Sequence, residues 1–143
     1  MPIDIEQVKA ALNPEEPNYP KAARQLGPDA LPQLEKIIGG NDVSLAAKAA
    51  YLAGMIGGEK SIAAVAKAAR SSQVTVRIAA AAAAKHLPAQ HSDKVLLDLV
   101  DDVDAGVQKV ALRSAPANMS DALQARVKHL TKELGKGKSE KGK

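Results

Sequence analysis

The sequence holds no Cys, no Trp and no Phe, and only two Tyr among 143 residues. Without Cys there is no disulfide framework, no zinc–thiolate site and no cysteine nucleophile. Without Phe or Trp the core cannot rest on large aromatic anchors, so small side chains must let backbones approach closely. Long apolar runs are missing as well. The longest candidate, Ile78 to Ala84, spans seven residues between Arg77 and Lys85–His86, well short of the roughly 18 that a membrane span requires. The first nine residues, MPIDIEQVK, are acidic near their start and carry no apolar stretch, unlike a secretory leader. A cytoplasmic chain is the expectation.

Acidic residues are only slightly outnumbered, and the surplus is local. The net charge is +4. Residues 135–143 (GKGKSEKGK) hold four Lys and one Glu, so the rest is close to neutral. Low apolar content predicts a disordered basic tail over 135–143 beside a folded domain over 1–134.

What is abundant is Ala, with 28 in the chain. Ala is the strongest helix former, because ordering it costs no side-chain entropy. No segment alternates apolar and polar residues with aromatic enrichment, as a strand would. The composition points to an all-α fold.

A period of 31 residues organises the chain. It links Leu45, Val76 and Val107, then Ala49, Ala80 and Ala111, then Ala53, Ala84 and Ala115. In the preceding segments it links Leu34, Val65, Leu96 and Val127, and also Ile37, Ala68, Leu99 and Leu130. Several columns sharing one spacing define a repeat. Within each unit the columns fall at one-faced helical spacing. Each unit is therefore a first helix, a short polar turn and a longer second helix.

The punctuation agrees. Gly39–Gly40–Asn41–Asp42, Ser71–Ser72–Gln73 and Asp101–Asp102–Val103–Asp104 are the inner turns, with Asp42, Ser72 and Asp104 as predicted N-caps. Gly57–Gly58 ends one second helix, and Pro88 and Pro116 follow two others. An irregular first unit has a first helix over residues 3–12 and a short second helix over about 19–26, and Ser120 is predicted to cap a last helix over 121–134. Four pairs plus one capping helix form an α-α superhelix, whose terminal helix needs a polar outer face.

Val76-Arg77-Ile78-Ala79-Ala80-Ala81-Ala82-Ala83-Ala84-Lys85-His86-Leu87 resembles the V-R-x-x-A-A-x-A-L-x-x-L signature of HEAT repeats. Leu26-Gly27-Pro28-Asp29-Ala30-Leu31-Pro32-Gln33-Leu34 resembles the run between units in the short bacterial HEAT-like repeats of the phycobilisome lyase type. The resemblance covers about residues 19–134. It implies a HEAT-like, armadillo-like α-solenoid and is unspecific for function. Ala46 and Gln108 stand where Arg77 would recur, so a ladder of Arg–Asp turn contacts is interrupted.

Catalytic patterns are missing. His86, His91 and His129 are not followed by Glu, and no His-Glu-x-x-His occurs. The acidic group Asp98, Asp101, Asp102 and Asp104 lacks the spacing of a calcium loop and reads as helix capping. There is no phosphate-binding Gly-rich loop and no Gly-x-Ser-x-Gly elbow. No enzyme activity, metal or cofactor is expected.

The expected function is a non-catalytic scaffold or adaptor, monomeric, binding another protein on the groove lined by the second helices. Lys48, Tyr51, Met55, His86 and Arg113 are its candidate contacts, with Tyr51 and Met55 as hot spots. Two alternatives stand beside it. The family resemblance implies a lyase-type accessory subunit acting on a chromophore-bearing protein. The basic C-terminal end, with Arg126, Lys128, Lys132, Lys136 and Lys138, could instead contact nucleic-acid phosphates.

Overall fold

A computed structural model describes residues 3–141, the side chains of 133–141 excepted. Among the described residues the chain is all-helical, with nine α-helices and no strand. They are α1 (Ile5–Leu12), α2 (Tyr19–Leu26), α3 (Leu31–Ile38), α4 (Val43–Ile56), α5 (Glu59–Ala69), α6 (Val74–Ala84), α7 (Ala89–Leu99), α8 (Ala105–Ser114) and α9 (Asp121–Lys141). A single 3-10 turn, Pro28–Ala30, leads into α3.

Five of the helices start where side-chain oxygens satisfy orphan N–H groups, whereas α3, α5, α6 and α7 have no side-chain cap. Asp4 and Gln7 form a reciprocal capping box on α1. Asn18 caps α2, Asp42 caps α4 and Asp104 caps α8. Ser120 Oγ accepts from Leu123 N–H at 3.1 Å at the start of α9. The predicted cap at Ser72 is a different case. Gln73 is the N-cap of α6 and gives no side-chain hydrogen bond. Ser71 Oγ instead accepts from Gln73 N–H at 3.1 Å, a local serine turn that competes with capping. Gly57 closes α4 and Gly58 opens α5, at φ of 79° and 89°, a region that only Gly enters without strain.

The expected boundary after residue 134 is not a helix end. Helix α9 continues over residues 135–141 of the predicted disordered tail. Extending a formed helix needs no new nucleus.

Packing joins each helix to its neighbours in the repeat order. The principal contacts link α3 with α4, α5 with α6 and α7 with α8, and link α1, α3, α5, α7 and α9 along one layer, while α1 packs on α3 and α4 rather than on α2. They also link α2, α4, α6 and α8 along the other. The core is one continuous aliphatic cluster from Val8 to Leu123. The α4–α6 seam is the most extensive contact. Gly54 of α4 lies against Ala83 of α6 there, and Ala49, Ala50, Ala53, Ala80, Ala81 and Ala84 of the two helices are also buried.

Polar bonds tie one unit to the next. Lys67 Nζ donates to Glu35 O at 3.1 Å, and Ser61 Oγ donates to Ala53 O within the core. Arg77 donates to both carboxylate oxygens of Asp102, at 2.9 and 3.2 Å, and to Ser71 O at 3.0 Å. Their side chains are only 14% and 10% exposed. Asp102 also accepts from Asp104 N–H at 2.9 Å. Of the acidic group, Asp104 thus caps a helix, and Asp102 holds the inner turn of unit four to that of unit three. Asp93, buried in α7, accepts from Ser120 N–H and hydroxyl, which anchors the start of α9.

Candidate interaction surface

The outer stripe of α4 begins at Ser44 and runs through Lys48 and Tyr51 to Met55. Steps of 31 residues place Ala82 and Arg113 in the column of Tyr51, and His86 in the column of Met55. Helical spacing accounts for these placements, since the opposite face of each helix is committed to the core.

Tyr51 lies at the centre of a ring cluster. The Tyr19 ring meets it edge to face with centroids 4.7 Å apart. His86 meets it at 5.6 Å, also edge to face. His86 Nε2 lies 3.4 Å from the Tyr51 hydroxyl. Three successive units thus contribute one ring each, from the start of α2, the middle of α4 and the residues just after α6. Edge-to-face pairs of this kind add roughly 1 kcal/mol beyond area burial. Both Tyr rings are half-buried and His86 is exposed.

The environment biases the ionisation of two of these groups. Burial, with a smaller contribution from Tyr51, pushes the Tyr19 hydroxyl above its ordinary value, so it stays a neutral donor. Burial, and then the charge of Lys85, lowers the His86 imidazole below 6.5. At neutral pH this ring is uncharged and presents one donor and one acceptor.

The remaining predicted contacts are placed differently from one another. Lys48 turns to its own chain, donating to Leu12 O at 3.2 Å and Pro14 O at 2.9 Å. It closes the C-terminal end of α1 and the start of the segment 13–18 that leads into α2. Met55 is half-buried one turn after Tyr51, and Arg113 is exposed on α8. Among the described residues no ion pair or side-chain hydrogen bond engages Arg113. The structure brings Tyr51, Met55 and His86 together, with Arg113 two helices along. Tyr19 was not among the sequence candidates. It stands one residue off the 31-residue period relative to Tyr51, so no column leads to it.

At the C-terminal end, Arg126 forms an ion pair with Asp101, which commits its charge to the α7–α8 turn. Exposed Lys128 and Lys132 line a concavity of about 620 Å3 with half-buried Met119 and Val127. The side chains of Lys136 and Lys138 lie outside the described residues.

Electrostatically the two layers differ. The charged residues of α2, α4, α6 and α8 are Lys21, Arg24, Lys48, Arg77, Lys109 and Arg113, with no Asp or Glu among them. Helices α1, α3, α5 and α7 each carry both signs. At the inner-turn edge, a cavity of about 460 Å3 lies between Gly39–Asn41 and Arg70–Gln73, with Lys67 and Arg70 as its charged groups. It contains no carboxylate and no imidazole, so no acid–base pair is assembled there. Among the described residues no three His, Asp or Glu side chains gather as metal ligands, and no helix is long and apolar enough to cross a membrane.

No family model matches the chain, and no curated protein matches it.

Proposed function

We propose that the chain is a HEAT-like α-solenoid that serves as a non-catalytic scaffold, acting as a cytoplasmic monomer. It binds another protein across the surface of the second helices. The Tyr19–Tyr51–His86 cluster carries this reading. Three polar-tipped rings from three consecutive units lie part-exposed on one surface, with Met55 beside them. Aromatic groups with a buried body and an accessible polar edge are the residues that anchor protein interfaces. Stacked repeats bind through surfaces of this extended kind.

The test compares intact protein with a Tyr51→Ala/Met55→Ala variant, each immobilised and exposed to lysate, with helical content checked by circular dichroism. Loss of a captured protein at unchanged helicity is the expected result. Equal capture by both proteins would overturn the assignment of the surface.

A further inference from the structure

The second-helix layer is uniform in charge. Its four helices carry six cations and no carboxylate. Two of the cations are engaged by the chain itself, Lys48 by main-chain carbonyls and Arg77 by Asp102 and Ser71. Lys109 and Arg113 are exposed one helical turn apart on α8, and among the described residues no ion pair or side-chain hydrogen bond engages either. The carboxylates of the adjoining inner turns are occupied. Asp42 and Asp104 accept from helix N–H groups, and Asp102 holds Arg77.

The spacing of the surface is equally specific. The column Tyr51, Ala82, Arg113 crosses α4, α6 and α8 in successive steps of the repeat. Packed helices lie about 8–10 Å apart, so Tyr51 and Arg113 are separated by roughly 20 Å. An extended chain covers that distance in about six residues at ~3.3 Å each. Between them Ala79 and Ala82 are half-buried, and their small side chains let another backbone come close.

We propose that the segment bound on the second-helix surface is an acidic peptide in extended conformation. An apolar side chain sits against Tyr51 and Met55, and carboxylates about six residues away pair with Arg113 and Lys109. This inference rests on the scaffold reading and adds the chemistry of the partner. A surface that lacks carboxylates repels no acidic segment, whereas a basic segment would leave Arg113 and Lys109 facing like charge. A nucleic acid fits less well. Base stacking needs free ring faces along a continuous basic track, but here Tyr51 is flanked by Tyr19 and His86, and Lys48 and Arg77 are already bonded.

The test selects from a displayed library of random twelve-residue peptides on the full-length protein. Selections run in parallel on Lys109→Glu/Arg113→Glu, on Tyr51→Ala, and on a chain with Lys136, Lys138, Lys141 and Lys143 changed to Gln. Lys109 and Arg113 are exposed, so their reversal leaves the fold intact, as circular dichroism verifies. The expected result is enrichment of Asp- and Glu-containing peptides on the native protein and on the Gln variant. Charge reversal should turn the preference toward Lys and Arg, and should weaken the native-selected peptides on the order of tenfold or more. Acidic enrichment that disappears only in the Gln variant would overturn the proposal in favour of the C-terminal lysines. Tighter binding of a single-stranded oligonucleotide than of any selected peptide, abolished by the charge reversal, would overturn it in favour of nucleic acid. Enrichment of neutral peptides that Tyr51→Ala abolishes would overturn the acidic chemistry and leave the scaffold reading standing. No enrichment on any of the four proteins would overturn both.

Discussion

Gly54 of α4 lies directly against Ala83 of α6: a Cβ built on Gly54 would fall 2.7 Å from Ala83 Cβ and 2.8 Å from Ala83 O. No side chain fits in that space. The longest seam in the molecule therefore depends on a residue that intrinsic helix propensity disfavours.

Gly54→Ala is a sharp test of this contact. In an exposed helix the change would stabilise by about 1 kcal/mol. Here it must push α4 and α6 apart, and overpacking of a tight core costs about 1–3 kcal/mol. The expected outcome is a net loss of roughly 1–2 kcal/mol in urea unfolding. An unchanged or raised midpoint would show that the seam is looser than described.

The Arg77–Asp102 pair should be strong and pH-dependent. Asp102→Ala leaves a largely buried guanidinium without its carboxylate, which costs about 3 kcal/mol. Burial alone would raise the Asp102 carboxyl. The Arg77 hydrogen bond, Asp104 N–H and the Arg77 charge outweigh it and hold the group below 3.8. Folding is therefore favoured by this group above the ordinary carboxylate range, and that contribution is lost as pH falls through the lowered value. Unfolding measured from pH 6 down to pH 2 should show a shallower acid limb in Asp102→Asn than in the native chain.

Two serines at equivalent positions should respond in opposite directions. Ser61 and Ser92 are one period apart and both buried. Ser61 donates to Ala53 O, whereas among the described residues Ser92 Oγ has no partner. Ser61→Ala should cost about 1 kcal/mol, while Ser92→Ala should be neutral or stabilising. Thermal unfolding of the two single variants gives the comparison.

The His86 ring should titrate below 6.5 when followed by proton NMR, because burial and then Lys85 oppose its cationic form. Tyr51→Ala removes part of the burial and should raise the midpoint more than Lys85→Gln does. The unfolded ring takes up its proton first, so this group's contribution to stability is present above 6.5 and is lost as pH falls through the folded value.

Much of the layout is legible in the sequence alone. The 31-residue columns mark the core-facing side of α3 to α9, because only a repeated packing geometry requires the same positions to stay apolar. Asp42, Asp104 and Ser120 could be named as caps because capping acts within three residues. What could not be read depends on groups distant along the chain. Lys48 and Arg126 read as free surface cations, but the approach of the α1–α2 turn and of Asp101 engages them. Tyr19 belongs to the irregular first unit, where the period slips. Ser72 lost its expected role because the neighbouring hydroxyl of Ser71 satisfies the same turn. The all-α class therefore followed from local chemistry, and the ring cluster required the tertiary stacking of three units.

The concentration of contact between α4 and α6 has a mechanical consequence. Every helix leans mainly on its immediate neighbours, so the molecule flexes as a chain of springs in series. Its stiffest spring is the Gly54–Ala83 seam at the middle, and its softer ones lie toward α1 and α9. Bending of the second-helix surface is then taken up at the two ends, and the spacing between Tyr51 and Ala82 stays fixed.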